Sequence, residues 1–518
     1  PELFAEIRAL IGEGRWHVVN GMIVQPDMNL PQGESFVRQA LLGKGYFQEH
    51  LGVDVRIAYC VDSFGHAGTL PQILKKCGYD YYVFMRPQEQ EKALPPQAFW
   101  WQSPDGSRVL AYRIGGTYAE TSPEVAPLVE RSLRDLPPYL PEAMCFFGVG
   151  NHGGGPTKAQ VENVLRLAQE RRGEAEIRFD HPQAYFDAIA PQAAVLPVVA
   201  DELQYHATGC YSVNSALKRA HRQAECALLL AERMECLAEL WAGKQPAHER
   251  LHALWHDLCF NQFHDTLAGS CIKEAEDEAI MALGRVTLSA RELADTAARR
   301  IGALVDTTGP GSTVLLFNPF PYDWRGYVEY EPWTDGERMA SGWGLVDEAG
   351  KPVPYQVLEP ASAAGTVARG IDRLLWHAEL PPLGYRLYRF GRGLPGAFAE
   401  GRARANGCSL ENEQLALCLD PENGTIASCV LKAAGAELVG PGGWNVAQVL
   451  EDTSDTWSHK VRGFDKVIGC FGAARITVGE QGPLQASLYV ERSYEGATWL
   501  QQLIVRAGEP EVLVRNWL

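Results

Sequence analysis

No apolar run in the chain approaches the roughly twenty residues that a membrane-spanning helix needs, so no membrane span and no membrane partner are expected. Positive charge is also in deficit: 47 Lys and Arg stand against 64 Asp and Glu, a formal net charge of -17. Binding a nucleic acid requires a basic stripe that displaces condensed counterions. The balance here argues against DNA or RNA as partners and describes a well-solvated acidic surface, one compatible with a monomer or a homo-oligomer. No C-x-x-C pair occurs among the 12 cysteines, which are scattered singly from Cys60 to Cys470. That scatter argues against a disulfide framework and for reduced thiols in a cytoplasmic protein. Internal repeats and low-complexity tracts are missing too, which speaks against a solenoid or fibrous array.

What is present, 518 residues with 46% hydrophobic and 21% charged content, is ordinary globular composition. It is more chain than one core can organise, so roughly two to four domains are expected. Residues 1–195 alternate strand-like and helix-like stretches. The apolar run Trp16 to Val24 ends at Gln25-Pro26-Asp27 and is followed by helix-like Gly33 to Gln39. Next come strand-like Val53 to Ala58, a helix from Leu70 to Cys77, a strand from Tyr81 to Met85 and another from Met144 to Val149. A Gly-rich turn, 150–156, then leads into a helix from Lys158 to Glu170. Repeated strand–turn–helix units imply a parallel sheet, open or closed, with Asp27, Asp62 and Asn151-His152 at strand exits on one face. Residues 210–305 carry apolar spacings of three and four over Ser215–Trp241, His248–Asn261 and Ala275–Ile301, the pattern of a three-helix bundle. Beyond Gly309-Pro310-Gly311, short strands separated by Gly, Pro and Asn point to a small β domain over 310–395 and a β-sandwich over 396–518. The expected fold class is therefore multidomain, α/β followed by all-α and all-β. Helix-like Glu2–Ile7 at the start and strand-like Val514–Leu518 at the end are both expected to continue beyond these residues.

The stretch richest in chemistry is Tyr59-Cys60-Val61-Asp62-Ser63-Phe64-Gly65-His66. It puts an acidic residue and an imidazole, four positions apart, at the exit of a buried strand, where α/β folds place reactive groups. Taken alone, Asp62 and His66 would more readily be read as capping the helix after the turn, a position Asp and Ser favour. A second cluster, Phe263-His264-Asp265, could alone be a helix-end pair interacting with the macrodipole. His252 and His256 lie four apart on a bundle helix without a third ligand, which favours a core or surface face. Gly153-Gly154-Gly155 lacks the Lys-Ser/Thr of a phosphate loop, so phosphate binding is not expected. The run Glu451 to Trp457 is open between a surface turn and a segment approaching the site.

Four elements in order resemble glycoside hydrolase family 38, the metal-dependent retaining α-mannosidases. They are Asp62-Ser63-Phe64-Gly65-His66 with Leu70-Pro71-Gln72-Ile73-Leu74; Gly148-Val149-Gly150-Asn151-His152-Gly153-Gly154-Gly155-Pro156-Thr157; Lys218-Arg219 with Arg222 and Glu225; and Phe263-His264-Asp265. The resemblance implies an α/β barrel over 1–195 before the bundle and β domains. It also implies retaining hydrolysis of terminal α-linked mannose from a glycan, with zinc or another divalent cation as cofactor. By similarity Asp62 is nucleophile and metal ligand and His264 a second ligand. The other two ligands belong to a His-x-Asp expected ahead of residue 1. A carboxylate can serve both ends, one oxygen on the cation and one on the anomeric carbon. Phe64, Arg86 and Asp265 are the implied substrate-side residues: an aromatic wall, a cation keeping Asp62 ionised, and an acceptor for a sugar hydroxyl. The family's proton donor is an Asp at positions held here by Asn151 and His152. Asn cannot donate a proton, so His152 is the candidate acid/base and Asp27 the alternative. The alternatives to an α-mannosidase are a related metal-dependent glycosidase of other sugar specificity, and a carbohydrate-binding pseudoenzyme.

Overall fold

The structure, a computed structural model, describes residues 2–150, 154–204, 206–332, 342–359, 372–397, 402–459, 461 and 463–518. The chain divides into two compact units, one of Pro1–Glu232, Pro246–Asp295 and Ser454–Arg462, the other of Arg233–Gln245, Thr296–Thr453 and Gly463–Leu518.

The first unit opens with α1 (Glu2–Gly12) and α2 (Gly33–Leu51), followed by β1 (Ile57–Tyr59), α3 (Leu70–Lys76) and β2 (Tyr81–Phe84). A hairpin comes next, β3 (Ala98–Gln102) and β4 (Arg108–Arg113), then α4 (Ala126–Arg134), α5 (Lys158–Glu170), α6 (Pro182–Ile189) and β5 (Val198–Val199). The strands pair in the order β1-β2-β4-β3-β5. Their side chains alternate between two cores, as a two-residue period demands. One face sends Ala58, Tyr82, Phe84, Phe99, Trp101 and Ala111 against Phe36 and Ala40 of α2 and Leu70 and Leu74 of α3. The other sends Ile57, Val83, Leu110 and Tyr112 against Tyr185, Phe186 and Ile189 of α6.

Three sequence expectations change here, and a fourth, the barrel, is not confirmed. The sheet is not wholly parallel: β1, β2 and β4 run parallel, but β3 is antiparallel to β4. The connection 103–107 is a tight turn, too short for the crossover of a dozen or more residues that a parallel pair requires. Among the described residues the pairing ends at β1 and β5, and no further pairing closes it into a barrel. Trp16 to Val24 forms no strand, because Asn20 and Gly21 both take positive φ (72° and 64°); its backbone meets the sheet through Asn20 N–H donating to Ile57 O at 2.8 Å, and Val18, Val19 and Met22 pack into the two cores. Met144 to Val149 is not a strand either. It lies on the sheet through side chains, Phe146 against Tyr59 and Tyr112, with the Tyr112 hydroxyl donating to Met144 O at 2.8 Å.

The long helices α7 (Ser215–Ala242) and α8 (His248–Phe260) precede the short α9 (His264–Ala268) and α10 (Lys273–Gly302). Trp255 of α8 donates its indole N–H to Glu232 of α7 at 2.9 Å, and Asp257 of α8 accepts from Arg285 of α10 at 2.7 Å. Apolar residues every three or four positions on α8 (Leu251, Leu254, Trp255, Leu258) are buried, while His252 and His256 face out. That is the surface placement open to them in the sequence.

The second unit is largely antiparallel sheet. Two three-stranded sheets share a core of Leu374, Trp376 and Ala378 from one with Val314, Leu345, Tyr388 and Phe390 from the other. Farther along, a five-stranded and a four-stranded sheet face each other across Leu410, Leu415, Leu417, Leu419, Leu488, Val490, Leu503 and Val505, the arrangement of a sandwich.

Candidate active site

Asp62 stands three residues past the end of β1, on a turn held by neighbours rather than by a ladder. Val61 N–H donates to the Gln25 side chain at 3.1 Å, and the Ser63 hydroxyl to Pro26 O at 2.7 Å. Gly65 suits this turn because its φ of 154° is one that L side chains rarely adopt. Both carboxylate oxygens of Asp62 are engaged. Oδ1 accepts from Arg86 Nε at 2.8 Å and lies 2.7 Å from its Nη2, while Oδ2 accepts from the Tyr118 hydroxyl at 2.8 Å. Burial pushes the Asp62 pKa up, but the His264 ring, the Arg86 charge and Tyr118 outweigh it and hold the carboxyl well below the usual carboxylate range.

His264 opens α9. Its Nδ1 lies 2.7 Å from Gln25 O, and a carbonyl can only accept, so Nδ1 carries the proton and donates. Nε2 is left facing two carboxylates, 3.8 Å from Asp62 Oδ2 and 3.7 Å from Asp265 Oδ2. Those separations are electrostatic rather than hydrogen-bonding. Burial alone would lower the His264 pKa; Asp62, the Gln25 carbonyl and Asp265 outweigh it and raise it. The spot thus favours positive charge. Asp265, whose side chain is 43% exposed, accepts from Ser270 Oγ at 3.1 Å.

A backbone-anchored imidazole with Nε2 free, beside an ionised carboxylate, is donor chemistry that suits a divalent cation. Among the described residues no group of three or more His, Cys, Asp or Glu is arranged to hold a metal. Asp62 and His264 by themselves would offer two donors, short of the three or four protein ligands of zinc.

The remaining candidates fall out differently. His66 does not share a cavity with Asp62. It is fully buried, its Nε2 donating to Arg86 O at 2.8 Å and its Nδ1 accepting from Tyr82 at 2.7 Å. Burial pushes its pKa down to about 3, so it is neutral. Its task is to hold the Arg86 backbone. Phe64, 4% exposed, packs edge-on to His264 and tilted against His206. Asp27 is 1% exposed, with Oδ1 accepting the Asn29 and Leu30 backbone N–H groups, each at 2.8 Å. Burial raises its pKa against those bonds. Its segment adjoins the site, because Asp27 N–H donates to Gln262 O and Gln25 O receives His264. His152, with Asn151, lies outside the described residues. Trp457 packs with Phe64, Ala207, Cys210 and Ala268, which places its segment in the first unit rather than on a free turn.

Sequence reasoning missed Tyr118, His206 and Glu91. His206 Nε2 is 2.5 Å from Arg86 Nη1, and its Nδ1 is 2.6 Å from Glu91 Oε1. Tyr118 carried a signal, since it follows Gly115-Gly116 at the exit of β4, the same kind of position that pointed to Asp62. Glu91 and His206 sit in irregular loops and carried none.

The glycosyl hydrolases family 38 N-terminal domain matches residues 1–208, the alpha mannosidase middle domain 204–301, and the family 38 C-terminal domain 410–518. The chain belongs to glycoside hydrolase family 38. Among similar family members, alpha-mannosidase G of Dictyostelium discoideum is 24% identical over 96% of this chain and 47% of its own. Alpha-mannosidase 2C1 of Homo sapiens is 29% identical over 62% of this chain and 31% of its own. This family 38 chain thus spans less than half the length of either relative. Its fold is that of an alpha-mannosidase from Enterococcus faecalis V583, with a TM-score of 0.78 at 18% identity, covering 98% of this chain and 66% of that one.

Proposed function

We propose that the protein is a retaining α-mannosidase that removes terminal α-linked mannose from glycans, with Asp62 as nucleophile. The observation that carries this is the state of Asp62: an ionised carboxylate at a strand exit, aimed by Arg86 on one oxygen and Tyr118 on the other. In the first step an Asp62 oxygen bonds to the anomeric carbon as the glycosidic C–O bond breaks, and a general acid protonates the departing oxygen. In the second, water attacks the same carbon, its proton passes to the conjugate base, and Asp62 is released with the sugar configuration retained. The proton donor is assigned to His152, with Asp27, whose pKa is raised by burial, as the alternative.

Asp62 and His264 would be two ligands of a divalent cation, zinc by family resemblance. When bound, such a cation polarises and orients sugar hydroxyls. Asp265 accepts a hydroxyl hydrogen, Phe64 backs the sugar position, and Arg86 keeps Asp62 ionised.

Hydrolysis of 4-nitrophenyl α-D-mannoside followed by proton NMR tests the proposal. The α-anomer of mannose is expected first. The β-anomer appearing first would replace retention by inversion, and no cleavage of any α-mannoside would remove the activity.

A further inference from the structure

We propose that Glu91 and His206 are positioning residues that set the orientation of Arg86 and, through it, of the Asp62 carboxylate. The role assigned to Asp62 rests on the α-mannosidase reading; the orientation of Arg86 does not.

The argument begins with the guanidinium. Its Nε and Nη2 form one edge, and both meet Asp62 Oδ1 at 2.8 and 2.7 Å. A single oxygen on one edge leaves the fork free to swing about that contact. The third nitrogen, Nη1, ends the swing by reaching His206 Nε2 at 2.5 Å. Arginine has only donors, so His206 Nε2 must present a lone pair, and its proton must reside on Nδ1. Glu91 enforces that tautomer, with Oε1 accepting from Nδ1 at 2.6 Å. The opposite tautomer would set Nε2–H against Nη1–H and turn an imidazole lone pair toward a carboxylate.

Glu91 is itself pinned. Its Oε2 accepts Gln88 N–H at 2.7 Å, and its backbone N–H donates to Gln88 O at 3.0 Å. Burial pushes the Glu91 carboxyl up, but the His206 and Gln88 hydrogen bonds outweigh it and hold it below its ordinary value, so it stays an acceptor. The loop that carries both Arg86 and Glu91 is tied down at Lys92, whose Nζ donates to Asp201 at 2.7 Å and to Glu202 O at 2.8 Å. Those residues lead directly to His206. His206 is only 7% exposed, with Phe64 and His459 as ring neighbours. The result is a chain Glu91–His206–Arg86–Asp62 in which each hydrogen bond fixes the direction of the next.

The test uses the wild-type protein, His206→Leu and His206→Gln. Leucine removes the acceptor. Glutamine places an amide oxygen near the lost Nε2. His206→Leu should lower kcat by on the order of 10–100-fold, as outer-shell partners do, with little change in KM. His206→Gln should be about tenfold faster than His206→Leu, the effect of one charge-assisted hydrogen bond. A wild-type kcat in His206→Leu, or a glutamine variant no faster than the leucine one, would overturn the proposal. A nitrogen NMR measurement of the wild-type His206 tautomer does not depend on activity or on the variants folding. The Nδ1–H form supports the proposal and the Nε2–H form sinks it. A wild-type protein that cleaves no α-mannoside would defeat the α-mannosidase reading alone, and the tautomer would then decide the Arg86 assignment.

Discussion

Asp62 has a different partner on each oxygen, and that arrangement separates its charge from its shape. Asp62→Asn keeps the shape but loses the charge that Arg86 complements. One side chain is proposed to supply both the attacking oxygen and a metal ligand. We expect kcat to fall by on the order of ten-thousandfold and metal retention to weaken with it; full metal content beside near-normal turnover would remove Asp62 from the nucleophile role. His264 is tied to the rest of the site by two hydrogen bonds to Gln25 O, from its ring and from its backbone N–H, and faces two carboxylates at a distance. His264→Ala is therefore expected to lower bound metal, measured by elemental analysis, with partial return of activity in excess divalent ion. Unchanged stoichiometry would show that His264 is no ligand. At this scale the sequence pointed to Asp62, His264 and Asp265 because they sit in compact motifs. It could not point to Glu91 or His206, because a carboxylate in one loop and an imidazole more than a hundred residues later meet only in the folded chain.

Between elements, polar anchors join helices that the apolar pattern alone would let slide. Glu225, fully buried on α7, accepts Gln32 N–H at 2.9 Å and Ser35 Oγ at 2.6 Å at the start of α2, while Arg222 approaches its other oxygen at 2.6 Å. A few turns on, Arg38 of α2 grips both carboxylate oxygens of Glu232 at 2.8 and 2.9 Å. Arg222 and Glu225 of the family element are thus structural here, since they fix the segment that follows Asp27, whereas Lys218 donates to Val213 O and Ala268 O. Glu225→Leu strands an arginine, a hydroxyl and a backbone N–H, and should cost about 3 kcal/mol, read as a lower urea midpoint at unchanged slope. Thr157 and Gln160 form a reciprocal cap at the start of α5. Thr157→Ala should cost about 1 kcal/mol, and no change in the urea midpoint would discount the cap. The helices α2, α3, α5, α7, α8 and α10 were legible because three-and-four spacings are local, whereas the short α4 and α6 were not read. The β3–β4 hairpin also carried a local signal, Pro104-Asp105-Gly106 between two apolar runs, which was passed over.

For the molecule as a whole, the buried histidines set an acid limit. Burial pushes both His66 and His221 down to about 3 from an ordinary 6.5. The unfolded chain binds protons at these positions below about pH 6.5, while the folded chain does not until near pH 3. Their stabilising effect is therefore complete above pH 6.5 and declines as the pH falls through that window, by on the order of 1 kcal/mol per pH unit for each histidine. Urea unfolding between pH 7 and 4 should show this decline, and it should be shallower in His221→Gln. An identical slope in the variant would mean that other groups carry it.

The order of α/β, helical and β regions was written in hydrophobic periodicity, because a period of two or of 3.6 states which face must be buried without reference to any distant residue. The strand-exit position of Asp62 and the adjacency of His264 and Asp265 were legible too, from compact motifs. Only the tertiary structure decided that Trp16–Val24 and Met144–Val149 join no ladder, and that His66 serves the core while Tyr118 and His206 reach the site. Whether an extended segment joins a ladder depends on which edges are already taken, and a side chain's role depends on which donor or acceptor lies across from it. Both are set by neighbours distant in sequence, and no local pattern records them.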